Sequence, residues 1–159
     1  YSAEQTQENL SLTTAYFIPS RRMVKILERA VKRGVRVRLL VPGKSDVPAA
    51  SYAGRAFFAG LLDAGVEIYT YTGEMIHAKT YLFDRSWSVI GSTNLDYQSL
   101  FYNDEGNVGI FDTPFAARMI EVFENDLRQA NSIDRMKWKR RPWSEKLKEH
   151  FYALFRKRL

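Results

Sequence analysis

The feature that most constrains this chain is the alternation of two periods along its first seventy residues. Residues 12–18 (LTTAYFI) read as a strand, stopped by Pro19-Ser20. Met23, Ile26, Leu27, Ala30 and Val31 then share one face of a helix that ends at Gly34. Residues 35–41 (VRVRLLV) form a second strand, a helix is expected over 52–64 with Gly65 as its stop, and residues 66–71 (VEIYTY) give a third strand. A β-α-β-α-β order demands right-handed crossovers and neighbouring parallel strands covered by helices. After residue 71 the rhythm changes. Residues 78–83 and 87–90 are strands separated only by Asp84-Arg85-Ser86, which suits a hairpin. Residues 107–111 add a strand. Ala116, Ile120, Phe123, Leu127 and Ala130 line a long helix that starts at Asp112-Thr113-Pro114, an N-cap followed by a helix-starting proline. The expected fold class is α/β, a mixed and largely parallel sheet flanked by helices, with an amphipathic helix at the C-terminal end.

Composition narrows the chemistry. With 159 residues and 45% hydrophobic content, the chain can bury one substantial core and does not read as disordered. Zero cysteine excludes disulfides, thiolate metal sites and cysteine nucleophiles together. The sequence opens at Tyr1 rather than Met, inside what reads as a helix over residues 1–10, so a piece of a longer protein is expected. Net charge is +6, but it is unevenly placed. Residues 1–134 carry 14 Lys/Arg against 16 Asp/Glu, a net −2; residues 135–159 carry 10 against 2, a net +8. The division expected is therefore a slightly acidic catalytic body over 1–134 and a basic tail over 135–159.

The densest polar signal begins at His77. On a strand, His77 and Lys79 project to the same side, and an imidazole beside an ammonium suits a phosphate: the cation neutralises oxygens while the ring attacks phosphorus or handles a proton. Asp84 lies an odd seven residues from His77, so its parity makes it an anchor rather than a participant in bond making. Gly91 and Ser92 end the next strand, where a small residue lets backbone and hydroxyl approach a phosphate. The amide of Asn94 can donate to a phosphate oxygen. Asp96 reads as a turn or capping residue, and His150, in the tail, as surface.

Together His77, Lys79, Asp84, Gly91, Ser92 and Asn94 complete the pattern H-x-K-x4-D-x6-G-S-x-N, which is similar to the signature of the phospholipase D superfamily. The flanking stretches 12–19 (LTTAYFIP), 37–43 (VRLLVPG), 91–96 (GSTNLD) and 103–105 (NDE) resemble the C-terminal half of bacterial cardiolipin synthases. One departure is Gln98, where those synthases commonly carry arginine. The resemblance implies a phospholipase D-like fold and a phosphatidyltransferase that joins two phosphatidylglycerol molecules into cardiolipin and releases glycerol. It implies a phosphohistidine intermediate and no metal or other cofactor. The implied catalytic set is His77, Lys79, Asp84 and Glu105, with Ser92 and Asn94 binding substrate and Glu105 orienting His77. Since the mechanism uses two histidines and this chain has one motif, a second motif-bearing half is expected, either in the same full-length chain or in a homodimer. In two-motif relatives the first-half histidine is usually the nucleophile, so the resemblance favours acid/base work for His77 over nucleophilic attack.

In the tail, Trp143, Leu147, Phe151, Leu154 and Phe155 fall on one helical face, with Lys146, Lys148, Arg156 and Lys157 outside it. That composition suits a helix lying in a membrane interface, and equally a helix packing its aromatic face on the domain. The partners expected are anionic phospholipid and a membrane surface, which puts the protein at the bacterial cytoplasmic membrane. Two rival readings are a phospholipase D-type phosphodiesterase or nuclease acting as a homodimer and a non-catalytic membrane-binding module. Nucleic acid is disfavoured, because residues 66–112 hold only Lys79 and Arg85 as cations.

Overall fold

The computed structural model describes residues 2–158. Tyr1 and Leu159, the outermost residues of the expected N-terminal helix and basic tail, lie outside the described residues. Along the chain run α1 (Ser2–Gln5), β1 (Asn9–Thr13), α2 (Arg21–Lys32), β2 (Arg36–Pro42), α3 (Pro48–Arg55), α4 (Phe58–Ala64) and β3 (Glu67–Tyr71). Then come β4 (Thr80–Phe83), β5 (Trp87–Gly91), α5 (Tyr97–Phe101), β6 (Asn107–Phe111), α6 (Thr113–Arg128), β7 (Ala130–Ser132), α7 (Arg135–Lys139) and α8 (Trp143–Leu154). The strands form one mixed sheet in the order β6-β5-β4-β1-β2-β3-β7. Parallel pairing is confined to β1-β2-β3, and the other four pairings are antiparallel.

Both faces of the central strands are covered, which explains their near-continuous apolar runs. On one face Leu10, Leu12, Val37, Leu39 and Ile68 pack with residues such as Leu27 of α2 and Leu61 of α4. On the other, Leu40 and Leu82 meet Phe123 of α6. Arg38 points to that second face, where its guanidinium lies 4.8 Å from the Phe123 ring centre and binds Glu124 at 2.5 Å and Ser11 at 3.0 Å. This buried cation is tolerated because it is paired and stacked.

Several boundaries differ from the sequence expectations. The first strand is Asn9–Thr13, not 12–18: beyond Thr13 the chain leaves the sheet and is tied to the 91–95 loop, with Ile18 N–H donating to Leu95 O at 2.9 Å. Residues 2–5 alone are helical at the start, since 9–10 already pair with β2. The helix expected over 52–64 is two helices; the chain turns at Ala56-Phe57 so that Ala53 and Phe58 reach different parts of the core. Ala130 is not on the long helix, which stops at Arg128; it begins β7.

The basic tail is likewise two helices, and both lie on the body. Trp138 of α7 sits 5.4 Å from Phe58, and Arg135 and Lys139 reach Asp63 at 2.5 and 2.7 Å. Helix α8 lies on α3, with Tyr152 stacked on Tyr52 at 5.6 Å and Glu149, fully buried, bound by Arg55 and Arg141. No helix among the described residues is long and apolar enough to cross a membrane.

Candidate active site

Strand β1 is a switch point: the chain adds β2 and β3 on one side of it and then returns with β4 on the other. The crevice outside the carboxyl ends of strands at such a point is where open α/β sheets bind ligands. Register places the motif there. Thr80, the first residue of β4, pairs with Thr13 at the end of β1; Ile90 pairs with Thr80, and Gly91 with Asn107 at the start of β6. His77, Lys79, Ser92, Asn94 and Glu105 therefore converge on one end of the sheet.

His77 and Lys79 precede β4 rather than lying on it, so strand parity does not orient them. His77 is exposed, whereas Lys79 is buried, only 7% accessible, and its Nζ donates to the His77 carbonyl at 2.9 Å. Burial lowers the Lys79 pKa below the ordinary lysine value, while the nearby carboxylates of Glu105, Asp96 and Asp46 pull the other way. The His77 ring meets the ring of Tyr16 edge-on, at 6.1 Å and 83°.

The 91–95 loop is fixed by its neighbours. Asn94 Oδ1 accepts from the Tyr16 N–H at 3.2 Å, and the Thr14 hydroxyl lies 3.3 Å from the same oxygen. That leaves the Asn94 amide nitrogen without a partner among the described residues and free to donate. Tyr81 and Asn107 hold Thr93 at 2.6 Å each. Ser92 accepts from the Gly106 N–H at 3.0 Å and donates to the Glu105 carboxylate. Glu105 is consequently held on Ser92, and its pKa is lowered chiefly by that hydrogen bond. The Glu105 carboxylate, expected to orient the His77 ring, is engaged by the Ser92 hydroxyl among the described residues.

One further reading changes. A Cβ at Gly91 would collide with the backbone of Gly106 and Asn107, so this glycine admits the neighbouring β6 turn rather than a phosphate. Asp84 stands past the far end of β4, about 20 Å of extended chain from His77. Its carboxylate accepts from the successive N–H groups of Gln7, Glu8 and Asn9 at 2.7–3.2 Å, with its own backbone at φ +52°. Asp84 anchors the start of β1. Asp96, buried with its pKa raised by desolvation, caps α5 through the Ser99 N–H at 2.7 Å.

Tyr16 and Asp46 were not singled out from the sequence as site residues. The Tyr16 hydroxyl donates to Asp46 at 2.7 Å, and burial first, then Asp46, pushes its pKa up to about 12. The available signal was indirect: Tyr16 interrupts an apolar run, and Asp46 sits in the polar turn after the second strand.

A sheet of this order with a His-x-Lys motif at its switch point defines a phospholipase D-like fold. The nuclease Nuc of Salmonella typhimurium, described as a phospholipase D family member, superposes with a TM-score of 0.72 at 21% identity, over 83% of this chain and 86% of that one. Phosphatidylserine synthase of Haemophilus influenzae superposes with a TM-score of 0.78 at 15% identity, over 99% and 43%. Within that class the chain belongs to a particular family: residues 2–127 match the family described as cardiolipin synthase, PLD-like domain. Cardiolipin synthase A of Cronobacter sakazakii is 36% identical over 154 residues, covering 97% of this chain and 32% of that protein. The enzyme of the same name from Yersinia pseudotuberculosis is 36% identical over 149 residues. The chain thus spans about a third of the length of the curated relatives it matches.

Proposed function

We propose that this chain is one catalytic half of a phosphatidyltransferase that converts two phosphatidylglycerol molecules into cardiolipin and glycerol at the bacterial cytoplasmic membrane. The observation that carries the reading is the convergence of His77, Lys79, Ser92 and Asn94 at one sheet end in a chain of the cardiolipin synthase family. In the first step a histidine nitrogen of the second motif-bearing half attacks phosphorus. The P–O bond to the glycerol headgroup breaks, and His77 gives its proton to the departing oxygen. In the second step His77 takes the proton of an incoming hydroxyl as that oxygen attacks phosphorus and the P–N bond breaks. Lys79, desolvated and cationic, faces the phosphate oxygens, and the free amide of Asn94 donates to them. Both histidines are needed, so the second motif comes from the same longer chain or from a second copy.

The same reading assigns the tail to the lipid surface. Helix α8 leaves Trp143, Leu147, Phe151 and Leu154 between 54% and 78% exposed, while its other face is the one docked on α3. An apolar aromatic face flanked by lysines fits a membrane interface, and each basic residue near an anionic leaflet adds about 1 kcal/mol. Nucleic acid is a poorer partner: Arg85 follows β4 at the end away from His77, which leaves Lys79 as the cation of residues 66–112 at the site.

In the protein carrying both motifs, His77→Ala is expected to lower phosphatidyl transfer at least a thousandfold while melting temperature and vesicle binding stay unchanged. Retained turnover would remove His77 from the chemistry.

A further inference from the structure

The split of charge along the sequence conceals a basic face on the body. Helix α2 and its cap expose Arg21, Arg22, Lys25, Arg29, Lys32 and Arg33. At about 100° per residue, these cations fall within an arc of roughly 120°. That arc lies opposite Leu27 and Ala30, which the helix buries in the core. Among the described residues Arg21, Arg22, Lys25, Arg29 and Lys32 enter no ion pair, whereas Arg135, Lys139, Arg141 and Lys148 of the tail are held by carboxylates. Arg33 donates to the carbonyls of Ala3 and Thr6 at 3.1 and 3.3 Å and keeps its charge. The carboxylates of Glu28, on the helix, and of Glu4, which shares a recess with Arg21, Arg22, Lys25 and Arg29, offset only part of this charge.

The arrangement works against the helix that carries it. Arg21, Lys25, Arg29 and Arg33 follow one another four residues apart, where like charges repel. Arg21 and Arg22 occupy the first turn, at the positive end of the helix dipole, and no acidic residue stands there. Local rules broken in this way, with no compensating contact in the fold, mark a functional surface. What relieves the repulsion is negative charge spread along the helix, about 18 Å for its 12 residues. The face is convex, and its arc holds no aromatic ring on which a nucleobase could stack. It also begins near the site: Ile18, tied to Leu95 at 2.9 Å, is three residues from Arg21, about 10 Å of extended chain.

We propose that the outer face of α2 is a docking surface for an anionic lipid bilayer, which brings the His77 end of the sheet to the headgroups. Its role in catalysis rests on the phosphatidyl-transfer reading; its attraction to a negative surface does not. Vesicle sedimentation tests it, comparing the chain with a variant carrying Arg21→Gln, Arg22→Gln, Lys25→Gln and Arg29→Gln, changes that keep helix propensity. On vesicles of phosphatidylcholine with about one-third phosphatidylglycerol, each cation contributes about fivefold. The variant is therefore expected to bind at least fiftyfold more weakly in about 0.1 M salt, with the gap closing as salt is raised. On phosphatidylcholine alone the two are expected to bind alike. Should the fourfold variant melt early, Lys25→Gln with Arg29→Gln is expected to show a loss of tenfold or more. Equal binding of a folded variant to the anionic vesicles would overturn the proposal. So would loss of duplex DNA binding with vesicle binding intact, which would assign the face to nucleic acid. Weakened vesicle binding by the variant, with no phosphatidyl transfer by the two-motif protein, would uphold the docking face and sink the transferase reading. Transfer by a protein whose vesicle binding ignores these substitutions would do the reverse.

Discussion

Helices α6 and α8 are both amphipathic, and they use their apolar faces in opposite ways. Helix α6 buries Ala116 and packs Phe123 against Leu40 and Leu82 of the sheet. Helix α8 instead buries Glu149 and half-buries Tyr152 against α3, while Trp143, Leu147, Phe151 and Leu154 face outward. The periodic pattern of a helix fixes that it has an apolar face; what the face meets is decided by the docking contacts of the other side. For α6 those contacts are hydrophobic. For α8 the side held to the body centres on a carboxylate between two guanidinium groups and a tyrosine stack.

The contrast sets an order of effects. Phe123→Ala removes a fully buried ring from under α6 and is expected to cost about 3–5 kcal/mol of global stability by denaturant titration. A loss under about 1 kcal/mol would mean that α6 is not a core helix. Glu149→Ala leaves Arg55 and Arg141 without their shared carboxylate, a loss of about 3 kcal/mol. It should fall on α8 alone, appearing as fast proteolysis beyond residue 141 and faster amide exchange in α8, with the sheet still protected. Uniform destabilisation instead would show that α8 is part of the core and erase the distinction between the helices.

Sequence patterning carried most of the fold, because burial of the central strands on both faces writes itself as long apolar runs. It misjudged places where tertiary contact overrides local preference. The run 12–18 is strand-like throughout, yet only Leu12 and Thr13 belong to the sheet, since Asn94 and Leu95 capture the backbone of Tyr16 and Ile18. The site was legible as a set of residue types at fixed spacing, and His77, Lys79, Ser92 and Asn94 do share one sheet end. Their partners were not legible. That Glu105 holds Ser92, that Tyr16 walls His77, and that Gly91 serves the β6 turn all depend on long-range register. Asp84 is the exception: parity does not apply to it, since His77 and Asp84 both lie outside β4, yet its carboxylate holds the N–H groups of Gln7, Glu8 and Asn9 as an anchor would.

The exposed face of α8 can be broken without touching the fold. Replacing Trp143, Phe151 and Leu154 together by Ser is expected to change stability by less than about 0.5 kcal/mol, because none is buried against the body. Vesicle binding should weaken by about 2 kcal/mol, close to thirtyfold, from the lost insertion of three apolar groups. Sedimentation with phosphatidylglycerol vesicles reads this out. Unchanged binding, or a switch from dimer to monomer, would reassign the face to a protein partner. Deleting the whole tail is a poorer instrument, since it also uncovers α3 and Phe58.

The smallest effect separates the buried lysine of the site from the exposed lysines of α8. Burial lowers the Lys79 pKa, so its ammonium loses its proton at a lower pH than an ordinary lysine. Below that value the charge faces the phosphate; above it the charge is gone, and kcat/KM should fall along an alkaline limb that starts below pH 10.5. Stability moves the other way. The unfolded chain still holds the proton between the folded value and 10.5, so over that window folding becomes more favourable as pH rises. Asp46 is one of the carboxylates supporting the cation. Asp46→Asn is therefore expected to move the limb to lower pH. A limb that does not move would show that Asp46 has no share in the Lys79 charge and leave it to burial, Glu105 and Asp96.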